Sequence, residues 1–338
     1  MAPRAFISGL SGLTLTADER VFLREARPWG LILFKRNIED KFQVTDLIGE
    51  ALHELGGEAP VLVDQEGGRV QRLGPPHWPA YPPGAAYGRI YDRDPDAGLA
   101  AARLGARLIA ADLIELGINV DCLPLADVPV AGADRVIGDR AYGETPAKVA
   151  AIAGAVAEGL AEGGVLPVLK HIPGHGRANA DSHLKLPVVH ADRATLEATD
   201  FAAFRPLKRL PLAMTAHVVF TAIDPVRPAT TSATMIGEVI RGLIGFDGLL
   251  MGDDISMGAL SGSIAERARA SLAAGCDLVL HCNGKMDEMR AVAAEAPELA
   301  GDGKRRAEVA LAVRKSPSGI DLAAARREFA AMMTERMA

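Results

Sequence analysis

Short apolar runs alternate along this chain with longer segments whose apolar positions recur at helical spacing. The short runs are Ala5–Ser8, Gly30–Phe34, Pro60–Val63, Ile118–Leu123, Val165–Leu169, Leu212–Ala216, Gly248–Met251 and Asp277–Leu280. Between them the pattern predicts helices from Thr16, where Thr16-Ala17-Asp18-Glu19 forms a capping box, to Arg27, then over Lys41–Leu55, Asp96–Leu116, Thr145–Glu162, Asp192–Leu207, Ser232–Ile244 and Ser263–Ala274. Met286–Glu295, Gly303–Val313 and Leu322–Met333 close the chain as helices, and the Pro- and Gly-rich stretch Gly74–Gly88 is expected to be a long loop. The runs are apolar throughout, as in strands covered on both faces. Such βα alternation implies a parallel sheet, open or closed. Nearly every run ends in a polar or ionisable residue: Asn37, Asp64, Lys170, His217, Asp253 and His281. In a closed barrel these ends meet at one mouth. An open doubly wound sheet would gather them at a switch point and usually carry a glycine fingerprint after its first strand, for which Gly9-Leu10-Ser11-Gly12 is too weak. The expected fold is therefore α/β, a single (β/α)8 TIM-type barrel, with residues 1–338 forming one domain.

Composition narrows the function classes. Hydrophobic residues make up 49% of the chain and charged residues 24%, an ordinary globular balance. A net charge of −6 with no basic block argues against nucleic acid as a partner. No apolar run approaches the ~18 residues of a membrane span. The N-terminal stretch MAPRAFISGLSGLTL lacks a long apolar core with a cleavage site, so a cytoplasmic protein is expected. Cys122, Cys276 and Cys282 are odd in number and show no CxxC spacing, which fits free buried thiols in a reducing compartment.

The densest chemistry lies in Val165–Val189, VLPVLKHIPGHGRANADSHLKLPVV. The strand ends in Lys170 and His171, glycines and a proline break regular structure, and a polar run delivers Asp181-Ser182-His183. Residues two apart in an extended segment share a side, so Asp181 is expected to orient the His183 imidazole and raise its pKa, as a general acid/base requires. Asp253 and Asp254 follow the apolar run GLLMG. Strand alternation points them different ways, so that one faces the mouth while the other caps a helix or pairs with an arginine. Around them Asp64, Arg72, Arg140, Lys170 and His171 offer the donors and acceptors that a polyhydroxylated ligand needs. A zinc site built from His171, His175, His183, His217 and Asp253 is the competing chemistry. It is disfavoured because no His-x-His follows an early strand and Pro173-Gly174 separates His171 from His175. A catalytically silent sugar-binding barrel is a further alternative.

Five motifs stand in order: VDQEGGRVQRL (Val63–Leu73), VIGDRAYG (Val136–Gly143), LKHIPGHG (Leu169–Gly176), DSHLKLP (Asp181–Pro187) and MGDDISM (Met251–Met257). Together the sequence closely resembles the single-domain bacterial β-N-acetylhexosaminidases of glycoside hydrolase family 3, cytoplasmic enzymes of peptidoglycan recycling. The resemblance spans essentially the whole chain. It implies a (β/α)8 barrel, a nucleophile at Asp253, a histidine acid/base at His183 partnered by Asp181, and sugar contacts from Asp64, Arg72, Arg140, Lys170 and His171. It also implies a muropeptide-derived substrate, N-acetylglucosamine joined to 1,6-anhydro-N-acetylmuramic acid; the implied chemistry needs no metal or organic cofactor, a monomer is expected, and transfer to phosphate instead of water is an open alternative. Gly252 stands where the family often has Ser, and Ile172 where it often has Phe.

Overall fold

The computed structural model describes residues 2–335; Met1 and residues 336–338, which the one-domain expectation also takes in, lie outside the described residues. Eight strands form the central sheet: β1 (Arg4–Gly9), β2 (Pro28–Leu33), β3 (Val61–Val63), β4 (Val120–Asp121), β5 (Leu166–Ile172), β6 (Leu212–Thr215), β7 (Leu249–Met251) and β8 (Val279–His281). All pairings in it are parallel, in the order β7-β6-β5-β4-β3-β2-β1-β8. The ends join: Met251 bridges Leu278, and the N–H groups of Asp277 and Leu278 donate to the Leu250 carbonyl at 2.8 and 3.2 Å. The sheet is therefore a (β/α)8 barrel, with no long unpaired edge at that junction.

Strand alternation sorts the apolar side chains into two cores. Ile7, Ile32, Leu62, Val120, Leu166, Val168, Leu212, Met214, Leu249, Met251 and Leu280 pack together within the barrel. The intervening Phe6, Leu31, Leu33, Val61, Val63, Leu169, Ala213, Leu250 and Val279 pack outward in a core shared with the helices. Burying a side chain of this size contributes about 1.5–3 kcal/mol, which is why these runs contain no polar alternation. Continuing the same alternation past the strand ends puts Asp64, Lys170 and Asp253 in step with Leu62, Val168 and Met251.

Several helices start where the sequence places them. Thr16 accepts from Glu19 N–H in a reciprocal capping box, and Ser263 does the same with Glu266. The helices Lys41–Leu55 and Met286–Glu295 match their expected bounds. Elsewhere tertiary packing overrides the pattern. The expected helix over Asp192–Leu207 is broken into Arg193–Ala198 and the 3-10 turns Phe201–Ala203 and Arg205–Leu207. The expected loop over Gly74–Gly88 ends early in a helix, Gly84–Arg93, because Gly84 and Gly88 let it lie directly on the Arg140 and Tyr142 carbonyls. Strand β5 runs three residues beyond its expected end, so Lys170 and His171 belong to the sheet. Two small strand pairs lie outside the barrel sheet, Gln65–Gly67 with Val70–Gln71 and Val188–Val189 with Val219–Phe220. Cys122, Cys276 and Cys282 are free and buried.

Candidate active site

The strand ends enclose a pocket of about 220 Å³ lined by Asp64, Arg72, Arg140, Lys170, His171, Asp181, His183 and Asp253, so every residue expected to be catalytic or sugar-binding lines it, whereas Asn37, His217 and His281, which also end apolar runs, do not. Its wall on the β3 side is an ionic lattice. Lys170 Nζ donates to Asp64 Oδ1 at 2.9 Å and to Glu66 Oε1 at 2.6 Å. Arg72 Nη2 meets Asp64 Oδ2 at 2.9 Å. Arg140 meets Glu66 in a two-pronged pair, Nε to Oε2 at 2.9 Å and Nη2 to Oε1 at 2.8 Å. Burial alone would raise the Asp64 carboxyl, but Lys170 and Arg72 outweigh it and hold the group far below the usual carboxylate range. Glu66 is likewise lowered, with Lys170 and Arg140 overcoming its burial. Burial would lower the Lys170 ammonium; Asp64 and Glu66 reverse that and keep it protonated.

Below this lattice Asp127 orders the histidines. Its Oδ2 lies 2.7 Å from His171 Nδ1, while its Oδ1 accepts the His175 N–H at 2.6 Å and the His171 N–H at 3.3 Å. Asp127 is ionised, because His171 and His175 outweigh its burial. His171 Nδ1 therefore carries a proton toward it, which fixes the ring orientation. His175 is buried, and burial together with His171 lowers it to about 4. Its Nε2 is 3.0 Å from Ser182 Oγ.

The adjacent aspartates differ sharply. Asp254 accepts the N–H groups of Ser256 at 3.0 Å and Cys282 at 3.1 Å, and the Ser256 hydroxyl at 2.6 Å, so it caps a loop and not a helix. Asp253 is half-buried and receives the Asp254 N–H on Oδ1 at 2.7 Å. Burial would raise the Asp253 carboxyl; the imidazoles of His217 and His171, together with that N–H, outweigh it and leave the group below its ordinary value. His217 is buried beneath, its Nε2 donating to the Asp254 carbonyl at 3.0 Å and its Nδ1 2.7 Å from Thr230 Oγ1. Across the pocket His183 Nδ1 lies 2.8 Å from Asp181 Oδ1. The pair forms inside a turn, where Leu184 and Lys185 N–H groups both donate to the Asp181 carbonyl, and not in the extended segment expected. The turn folds the backbone so that Asp181 also accepts the His183 N–H at 2.9 Å.

Glu66 and Asp127 are site residues that the sequence pattern alone did not single out, and His175, weighed there only as a zinc ligand, and Ser182, quoted only within its motif, have roles that it did not assign. Glu66 carried a signal: it stands two residues after Asp64, and both carboxylates meet Lys170. Asp127 and Ser182 carried none, since their roles depend on which loops face one another. Among the described residues no group of three or more His, Cys, Asp or Glu is arranged to hold a metal ion.

Residues 11–315 match the family model described as the glycosyl hydrolase family 3 N terminal domain. The chain belongs to glycoside hydrolase family 3. It is a glycosidase of the β-hexosaminidase type. A protein of Alkalilimnicola ehrlichii named Beta-hexosaminidase is 43% identical over 283 residues, covering 81% of this chain and 79% of its own. One of Aromatoleum aromaticum with the same name is 37% identical over 317 residues, covering 92% of this chain and 87% of its own. Among solved structures, NagZ from Neisseria gonorrhoeae in complex with N-trifluoroacetyl-D-glucosamine superposes with a TM-score of 0.87 at 33% identity, covering 99% of each chain.

Proposed function

We propose that this family 3 glycosidase removes terminal, non-reducing β-linked N-acetylglucosamine with retention of configuration. Asp253 attacks the anomeric carbon while His183 gives its proton to the leaving glycosidic oxygen, and a glycosyl-aspartate ester forms. The neutral imidazole then takes a proton from water as that water attacks the same carbon and releases Asp253. Retaining glycosidases usually assign these roles to two carboxyl groups. A histidine suits both steps because its ordinary pKa near ~6.5 lies close to neutrality. Asp64, Arg72, Arg140, Lys170 and His171 bind the sugar hydroxyls, and Asp181 orients His183. The observation that carries this proposal is a half-buried carboxylate held ionised at the end of β7, in one pocket with an exposed imidazole–carboxylate pair.

The names of the relatives and the N-acyl glucosamine bound by the gonococcal neighbour support the sugar specificity. The natural substrate we assign is N-acetylglucosamine linked to 1,6-anhydro-N-acetylmuramic acid, with or without its peptide. On this proposal the chain acts as a monomeric, cytoplasmic enzyme of peptidoglycan recycling, one barrel doing the whole reaction without a cofactor. Among the described residues no helix is long and apolar enough to cross a membrane. The test compares release of nitrophenol from its β-N-acetylglucosaminide and its β-glucoside. The former should be faster by at least about a hundredfold, since a site that binds the acetamido group rejects the analogue lacking it. Equal rates would overturn the specificity. Asp253→Ala should fold and show no turnover, and a 5-fluoro glycosyl fluoride should label Asp253. A label on Asp254 would reverse the assignment.

A further inference from the structure

Two loops meet over the pocket in a seam of main-chain hydrogen bonds. The loop that begins at Asp253 is held rigid from below. Asp254 bonds the Ser256 and Cys282 amides, Ile255 N–H donates to the Leu280 carbonyl at 3.0 Å, and Arg267 Nη1 donates to the carbonyls of Ile255 and Met257 at 2.9 and 3.0 Å. From this fixed loop the N–H groups of Gly258 and Ala259 donate to the carbonyls of His183 and Ser182 at 3.2 and 3.1 Å. The turn that carries His183 is thus docked on the loop that carries Asp253. Its other side is held by Ser182 Oγ against His175 Nε2. The His183 side chain itself is 65% exposed, so the backbone seam and Asp181 set its position.

Position 258 has no room for a side chain. A Cβ there would lie 2.9 Å from the carbonyl oxygens of both His183 and Leu184, and neither backbone atom can swing aside. We infer that Gly258 is a positioning residue for the glycosidase reaction. Its bare Cα lets the 181–185 turn dock closely enough for the His183 imidazole to reach the leaving oxygen. This rests on His183 being the acid/base proposed above. A methyl at 258 lifts the turn while the ionic lattice, carried on β5 and on the segments that follow β3 and β4, and the Asp253 carboxylate, held by the Asp254 N–H, stay in place.

The experiment measures kcat/KM, which reports the first chemical step, for two β-N-acetylglucosaminides. A 2,4-dinitrophenyl leaving group departs without a proton; a 4-methoxyphenyl group needs one. Gly258→Ala should lose about tenfold or more on the methoxyphenyl substrate, part of the ~10²–10⁴ a general acid supplies, and less than about twofold on the dinitrophenyl one. In a His183→Ala background Gly258→Ala should add less than about twofold on either substrate, because residues acting as a unit are not additive. Equal loss on both substrates, no loss on either, or a multiplicative double variant would overturn the inference. If His183→Ala itself shows no leaving-group dependence, the acid/base assignment falls and this inference with it; if only Gly258→Ala lacks that dependence, the inference falls alone. Amide exchange in the unaltered enzyme tests the seam without any variant. The Gly258 and Ala259 amides should exchange at least about tenfold more slowly than those of exposed Ser261 and Gly262, and equal exchange would overturn the docking.

Discussion

Glu66 shows how a single side chain decides what its neighbours can do. Its carboxylate has only 4% of its surface exposed and neutralises both Lys170 and Arg140. Removing one partner of a buried pair leaves an uncompensated charge, which costs about 3–5 kcal/mol. Glu66→Gln should therefore lower the unfolding free energy by about that amount, read from the denaturant midpoint at neutral pH. It should also raise KM for the sugar, since Lys170 would lose one of the two carboxylates that aim it. The adjacent aspartates teach the same lesson in reverse. Asp254 spends its oxygens on two amides and a hydroxyl, so only Asp253 is left to face a substrate.

At the scale of elements, the segment from β5 through the 181–185 turn carries most of the site. Its anchor is His175, buried neutral between Asp127 and Ser182. The group ionises at about 4 in the folded protein, against an ordinary value near 6.5 in the unfolded chain. The unfolded chain therefore binds the extra proton first as pH falls. The stability tied to His175 is fully present above about 6.5 and is lost as pH drops toward 4, by roughly 3 kcal/mol. Urea unfolding at pH 7.5 and 4.5 should show that loss in the unaltered protein, and a smaller one in His175→Asn. Equal losses in the two proteins would refute it. The segment's local shape was poorly legible from sequence. Periodicity ended the strand at Leu169, and spacing put Asp181 and His183 on an extended chain. The contacts with the loops after β4 and β7 draw them into a strand extension and a turn.

At the scale of the whole molecule, the C-terminal helix Leu322–Glu335 ties back to the loop beside the pocket. Arg326 Nη2 meets Asp112 Oδ1 at 2.6 Å, and Asp112 Oδ2 accepts the Tyr81 hydroxyl at 2.6 Å. Phe329 packs against Tyr81 and Tyr87, over Gly105. Tyr81 in turn accepts the Gly68 N–H at 2.8 Å and gives its own N–H to Gln71 at 2.9 Å, next to Arg72. Phe329→Ala should cost about 3 kcal/mol, the lower end for truncating a buried aromatic, and lower the melting temperature. KM should rise more than kcat falls, because the contact reaches the Asp64–Arg72 side of the pocket, proposed above to bind the sugar, and not Asp253. A variant with lowered stability but unchanged KM would show that the helix supports the fold alone.

What the sequence by itself determined were the strands, the capped helices and the barrel, because a buried strand must be apolar on both faces and a helix start must satisfy its own amides. It also marked Asp64, Lys170 and Asp253, since a polar residue ending an apolar run has few structural uses, and His183 by its place beside Asp181 in a histidine-rich segment. Only the tertiary structure decided which of two adjacent carboxylates is free, that Glu66 and Asp127 organise the cations and imidazoles, and that Gly258 sits under the His183 turn. Those facts depend on contacts between residues far apart in the chain, such as Asp127 with His175 and Gly258 with His183, and no local pattern encodes a distance across the mouth of a barrel.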